Sequence, residues 1–160
     1  MPIFVELLLL LIVANASPVV VRLLMGNWLA RPLDNGLRLV DGQPLFGRKK
    51  TWRGVLAAVV STALVGQWLE LGLVFGAMFG LLAMVGDLIS SFIKRRLRMK
   101  ESERFRGLDQ LPEAVLPLLL AFPVYNFGWG SLVAVALIFT VLTLAVSPLL
   151  YRLGLRRRPH

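Results

Sequence analysis

The sequence predicts an all-α, polytopic integral membrane protein with about five transmembrane helices, its N-terminus outside and its C-terminus cytoplasmic. Three observations carry that prediction. First, 57% of the 160 residues are hydrophobic and only 17% are charged, against roughly half apolar and a quarter charged in a soluble domain, and the mean hydropathy is +0.73. Second, five apolar stretches run at about 3–25, 53–70, 72–94, 111–127 and 130–151, and a span needs about 20 residues. Third, the cations gather on alternate connections. This composition excludes a disordered, collagenous or nucleic-acid-binding chain, and zero cysteines exclude disulfide scaffolds and thiol chemistry. The net charge of +9 on so apolar a chain points to anionic lipid or phosphate rather than nucleic acid.

Span one carries Glu6 near its start and no Lys or Arg before Arg22. A signal peptide wants positive charge ahead of its apolar core, so this segment is expected to be a retained helix despite Ala14-Asn15-Ala16. The connection that follows, at about 26–52, holds Arg31, Arg38, Arg48, Lys49 and Lys50, with Arg53 just beyond. Spans two and three join through Glu70-Leu71-Gly72, which has no cation. Span three contains Gly72, Gly76 and Gly80 at every fourth position, a stripe suited to close helix approach within the chain or, alternatively, to a homodimer. The next connection, at about 95–110, is the most basic, with Lys94, Arg95, Arg96, Arg98, Lys100, Arg104 and Arg106 in and beside it. Span four is short and carries Pro117 and Pro123, so a partial, re-entrant passage is the alternative to a full crossing. Asn126-Phe127-Gly128 leads without cations into span five, and Arg152, Arg156, Arg157 and Arg158 follow it. By the positive-inside rule both basic loops and the tail lie in the cytoplasm. The chain is expected to be one membrane domain over 1–160, in the cell membrane.

Within this frame the chemistry-bearing residues collect at the cytoplasmic side. Asp87 lies inside span three, about 10 Å before its end at 1.5 Å per residue. A carboxylate there costs a few kcal/mol and normally faces a polar cavity. Ser90, Ser91 and Lys94 follow at i+3, i+4 and i+7 and share its face. Asp109 and Glu113 sit four apart at the start of span four. Two carboxylates plus substrate phosphates is the usual way Mg²⁺ is held, so Asp109, Glu113 and Asp87 are the candidate metal ligands. The first basic loop places Asp34, Asn35 and Asp41 before Gly47, Lys50, Thr51 and Arg53. Glycines among cations and a hydroxyl suit an anion cradle, which makes these residues substrate-binding candidates with Ser91. His160 is the only histidine, so Ser-His-Asp triads and histidine metal sites are out.

The runs Gly86-Asp87-Leu88-Ile89-Ser90-Ser91-Phe92-Ile93-Lys94-Arg95-Arg96, Leu108-Asp109-Gln110, and Asp41-Gly42 through Gly47 to Lys50-Thr51-Trp52-Arg53-Gly54 closely resemble the CDP-archaeol synthase family. These are small membrane relatives of the phosphatidate cytidylyltransferases, and the resemblance covers nearly the whole chain. It implies Mg²⁺-dependent cytidylyl transfer from CTP to a lipid phosphate in the cytoplasmic leaflet, giving a CDP-lipid and pyrophosphate. Asp87, Lys94 and Arg95 would be catalytic. Three departures mark a divergent branch, expected to be bacterial: Pro112 and Glu113 stand where archaeal members continue Asp-Gln-Leu with Asp, Lys100-Glu101 stands where phosphatidate cytidylyltransferases carry Lys-Asp, and the Gly-His-Gly-Gly segment of those enzymes is missing. The rival expectation is a transporter or channel subunit with Asp87 and Lys94 lining a polar path. Such a protein should carry polar residues along several spans to the midplane, whereas here most gather at one side.

Overall fold

The computed structural model describes residues 1–99 and 109–152, with side chains to residue 145. Lys100, Glu101, Arg104, Arg106 and the end of the chain from 153 lie outside the described residues. The described residues form five helices, α1 (Ile3–Met25), α2 (Trp52–Trp68), α3 (Leu73–Arg96), α4 (Leu111–Tyr125) and α5 (Trp129–Arg152). Each expected stretch is a helix, with ends displaced by at most two residues where turn chemistry, not hydropathy, sets the boundary. α1 and α3 are each long and apolar enough to cross a membrane.

Local sequence explains the boundaries. α1 stops at Gly26, whose φ of 54° favours glycine. Thr51 caps α2 in extended backbone, its hydroxyl accepting from the Gly54 amide. The α2–α3 turn runs through Glu70 and Gly72 at φ 62° and 94°. Pro112 sits in the first turn of α4, where a missing N–H does no harm. Despite Pro117 and Pro123, α4 is one continuous helix of 15 residues, about 22 Å at 1.5 Å per residue.

The glycine stripe is used inside the chain. A Cβ on Gly76 would strike the Thr62 carbonyl of α2, and one on Gly80 would strike the Thr62 hydroxyl. Gly66 of α2 answers, its Cβ position 2.9 Å from Gly76 Cα. Gly72 meets nothing and serves the turn instead. The apolar core, built on Leu7, Leu10, Leu11, Phe79, Leu118 and Phe139, fills the half of the bundle away from the long α1–α2 loop. Outward, Leu56, Leu64 and Val141 stay 60%, 61% and 64% exposed. Large apolar side chains facing outward on several helices suit a lipid solvent better than water.

Candidate active site

The α1–α2 loop is folded by its own carboxylates. Asp34 Oδ1 accepts from the Gly36 amide at 3.0 Å, and its Oδ2 accepts from Phe46 and Gly47 at 3.1 and 3.0 Å. Burial alone would raise the Asp34 pKa, but these amides together outweigh it and hold the carboxyl below its ordinary range. The loop's two arms meet in isolated bridges, Pro32 with Thr51 and Arg38 with Pro44. Its tip is tied to the last turn of α3, where Arg96 donates to Asp41 Oδ2 at 2.6 Å and to the Pro44 carbonyl at 2.7 Å while covering the Phe92 ring. The Gln43 amide, and then Arg96, keep the Asp41 pKa low. Arg53 donates to the carbonyls of Gly26 and Trp28, joining the start of α2 to the end of α1.

This loop delivers Lys50 to Asp87. The ammonium lies 2.5 Å from Asp87 Oδ2, with side chains only 26% and 28% exposed. One helical turn and more beyond, Lys94 lies 2.6 Å from Asp109 Oδ1 at the entry to α4. Glu113, 9% exposed, interacts electrostatically with Asp87, Lys50, Asp109 and Lys94. What allows this convergence is Gly86. A Cβ there would collide with the Pro112 carbonyl and come 2.6 Å from the Glu113 amide nitrogen, so α3 and α4 touch backbone to backbone beside Asp87.

Beside this cluster an open cavity of about 240 Å³ is walled by Arg22, Arg48, Lys49, Lys50, Arg53 and Asp87, among others. Thr51 lines it as well. Its convergent cations suit a phosphate-bearing ligand. A second groove at the same end joins Arg31, Asn35, Trp52 and Arg53 to apolar Leu29 and Leu56.

The candidates therefore separate. Lys50, Thr51, Arg53 and Asp87 line the cavity; Lys94, Asp109 and Glu113 form the neighbouring charged cluster. Asp34, Asp41 and Gly47 are engaged in loop architecture, and Ser91 and Arg95 are buried in α3, each 4% exposed. Asp87 and Lys94 do not pair with each other, as a shared polar path would want. Seven helical positions put them about 10 Å apart along the axis, and each meets a partner from another segment instead. Among the described residues no group of three or more His, Cys, Asp or Glu could hold a metal ion by itself. Asp87 and Asp109 are each turned to a lysine, so Asp87, Asp109 and Glu113 are not a ready-made cage. The donor set is nonetheless of the right kind, since Mg²⁺ takes one or two carboxylates and completes its shell with phosphates and water. Sequence reasoning did not single out Arg22, Arg48, Lys49, Arg96 or Gly86 as site residues. The Arg48-Lys49-Lys50 run was a usable signal for two of them, but the contacts of Gly86 and Arg96 depend on helix and loop approach.

Known proteins resemble this chain along nearly its whole length. The family described as CarS-like CDP-archaeol synthase matches residues 2–71 and 67–160. A CDP-archaeol synthase of Thermofilum pendens is 40% identical over 153 residues, covering 92% of this chain and 75% of its own. That of Thermococcus kodakarensis is 33% identical over 157 residues, covering 91% and 88%. A solved intramembrane enzyme for archaeal membrane lipid biosynthesis superposes with a TM-score of 0.77 at 32% identity, over 89% of this chain and 90% of that one. With most of its described charged residues gathered at one end of a membrane bundle and this similarity along its length, the chain belongs to the CDP-archaeol synthase family of membrane-embedded nucleotidyltransferases.

Proposed function

We propose that the protein transfers the cytidylyl group of CTP to an archaeol-type lipid phosphate at the cytoplasmic surface of the membrane. The observation that carries this reading is the Lys50–Asp87 contact in the wall of the basic cavity, where a loop reached from water meets a helix of the membrane bundle. The archaeal lipid acceptor is supported by what the relatives are named for. Five crossings with the N-terminus outside would put both basic loops beside CTP, and all 160 residues would act as one membrane domain.

An oxygen of the lipid phosphate attacks the α-phosphorus of CTP and forms the new P–O bond. The bond from that phosphorus to the oxygen bridging it to the β-phosphorus breaks, and pyrophosphate departs with the electron pair. Lys50 with Arg48 and Lys49 would neutralise the triphosphate, and Thr51 would position it by its hydroxyl. Catalysis of this kind is largely positioning and charge neutralisation. Asp87, Asp109 and Glu113 would hold Mg²⁺, which supplies Lewis-acid polarisation of phosphate oxygens. Lys94 would steady Asp109 at the entry to α4. The second groove, with Arg31 and Arg53 above the outward apolar residues Leu56, Val60 and Leu64, suits an acceptor arriving laterally with its phosphate at the interface.

The test is purified protein in nanodiscs with labelled CTP, Mg²⁺ and a panel of lipid phosphates. An isoprenyl-ether phosphate should yield CDP-lipid and pyrophosphate, and phosphatidate should yield less. Absence of CTP turnover with every acceptor would overturn the reading, and equal use of phosphatidate would overturn the lipid assignment.

A further inference from the structure

Each aspartate of the charged cluster is matched to a lysine from another segment: Asp87 to Lys50, 37 residues away, and Asp109 to Lys94. Three carboxylates, with Glu113, face two ammoniums, which leaves one formal negative charge (three minus two). Arg22, Arg48, Lys49 and Arg53 add positive charge along the adjoining cavity. A bare divalent cation entering here would meet both aspartates already neutralised by lysines and a wall that repels it. It would also have to shed water, which Mg²⁺ does reluctantly.

A triphosphate changes the balance. A lysine is a compact charge on a flexible four-carbon stem, and these two are part-exposed, 26% and 14%, so their ammoniums can swing to a new acceptor. From this we infer that Lys50 and Lys94 stand in for the metal while the site is without nucleotide. Binding of a nucleoside triphosphate draws them onto its phosphates, and the carboxylates so released take the divalent ion. Metal and nucleotide then bind as one coupled event, and neither binds well alone. This rests on the cytidylyltransferase reading for the identity of the nucleotide, but not for the lysine exchange itself.

The experiment uses the full chain in nanodiscs without lipid acceptor, with Mn²⁺ as the probe. Free Mn²⁺ is counted by electron paramagnetic resonance after dialysis equilibrium, and CTP binding is measured with and without Mn²⁺. For the wild type, Mn²⁺ should strengthen CTP binding by about 10–100-fold, a coupling of the usual size that must be reciprocal, and Mn²⁺ alone should bind weakly. Lys50→Met and Lys94→Met should each bind Mn²⁺ alone at least about tenfold tighter than wild type, while losing most of that coupling. Lys50→Arg should keep the wild-type weakness for metal. Adding Asp87→Asn to Lys50→Met should abolish the gain. Wild-type protein that binds Mn²⁺ alone as tightly as with CTP, or methionine variants that gain no metal affinity, would overturn the inference. If the methionine variants do not fold, Lys50→Gln and Lys94→Gln take their place in the same measurement, and failure of these to gain metal affinity overturns the inference. A wild type that shows the coupling yet makes no CDP-lipid would overturn the proposed reaction and leave the lysine exchange standing.

Discussion

The two halves of α3 make close helix contacts by the same device and put them to different uses. In its first half, Gly76 and Gly80 let α2 approach until Thr62 fills the space, and no charge is involved. In its second half, Gly86 lets α4 approach at Pro112 and Glu113, and the contact lies between Asp87 and the α4 carboxylates. The first contact holds the bundle; the second sets distances among charged groups. A glycine in a membrane helix therefore cannot be assigned a role from spacing. What matters is which groups its missing side chain allows to meet.

Substitutions in the two halves should separate these roles. The largest effect is expected at Asp87→Asn, with turnover falling by ~10²–10³, about what loss of one electrostatic stabiliser costs. The variant should still fold in detergent, because a neutral amide of the same shape remains. CTP turnover beside a thermal melt checks both halves of that statement. A variant that turns over normally would reduce Asp87 to a packing residue.

Gly86→Ala comes next. It should slow turnover by up to ~10²-fold, since displacement of reacting groups by about 1 Å can cost that much, and lower the melting temperature as well, because the added Cβ meets the α4 backbone. Gly76→Val should lower the melting temperature alone. Overpacking costs about 1–3 kcal/mol, so the melt drops while the rate per folded molecule holds. If the two variants behave alike, the division of α3 fails.

A smaller shift is expected at the start of α4. Asp109→Asn and Glu113→Gln should move the Mg²⁺ midpoint of CTP turnover upward, by roughly tenfold at the lower end for lost metal-orienting groups, with Asp109→Asn the more severe. A Glu113→Gln curve that overlays wild type would leave Glu113 a helix-start charge.

The smallest effect concerns the α1–α2 loop. The Asp34 carboxyl has its pKa lowered on folding, so its stabilisation is full above the ordinary value of 3.8 and is lost as pH falls through the lower folded value. Amide hydrogen exchange at Phe46 and Gly47 should thus stay slow down to about pH 4 and quicken below it. In Asp34→Asn those amides should exchange faster at neutral pH, with the bundle's own protection unchanged.

Hydropathy and charge alone determined that this chain forms five helices, roughly where each begins and ends, and which connections carry the cations. Those properties are local, since a run of apolar residues or of arginines means the same whatever lies across the bundle. The motif residues around Asp87 and Asp109 were also legible, as types at a spacing. Tertiary structure alone decided the partners. Lys50 meets Asp87 because Asp34 and Arg96 fold and pin a loop of about 25 residues. Lys94 turns to Asp109 rather than back to Asp87, and Gly86 rather than the Gly72–Gly80 stripe sets the site. Ion pairs depend on the approach of segments far apart in the chain, and that approach is governed by which side chains are absent at each crossing, a property no single stretch of sequence contains.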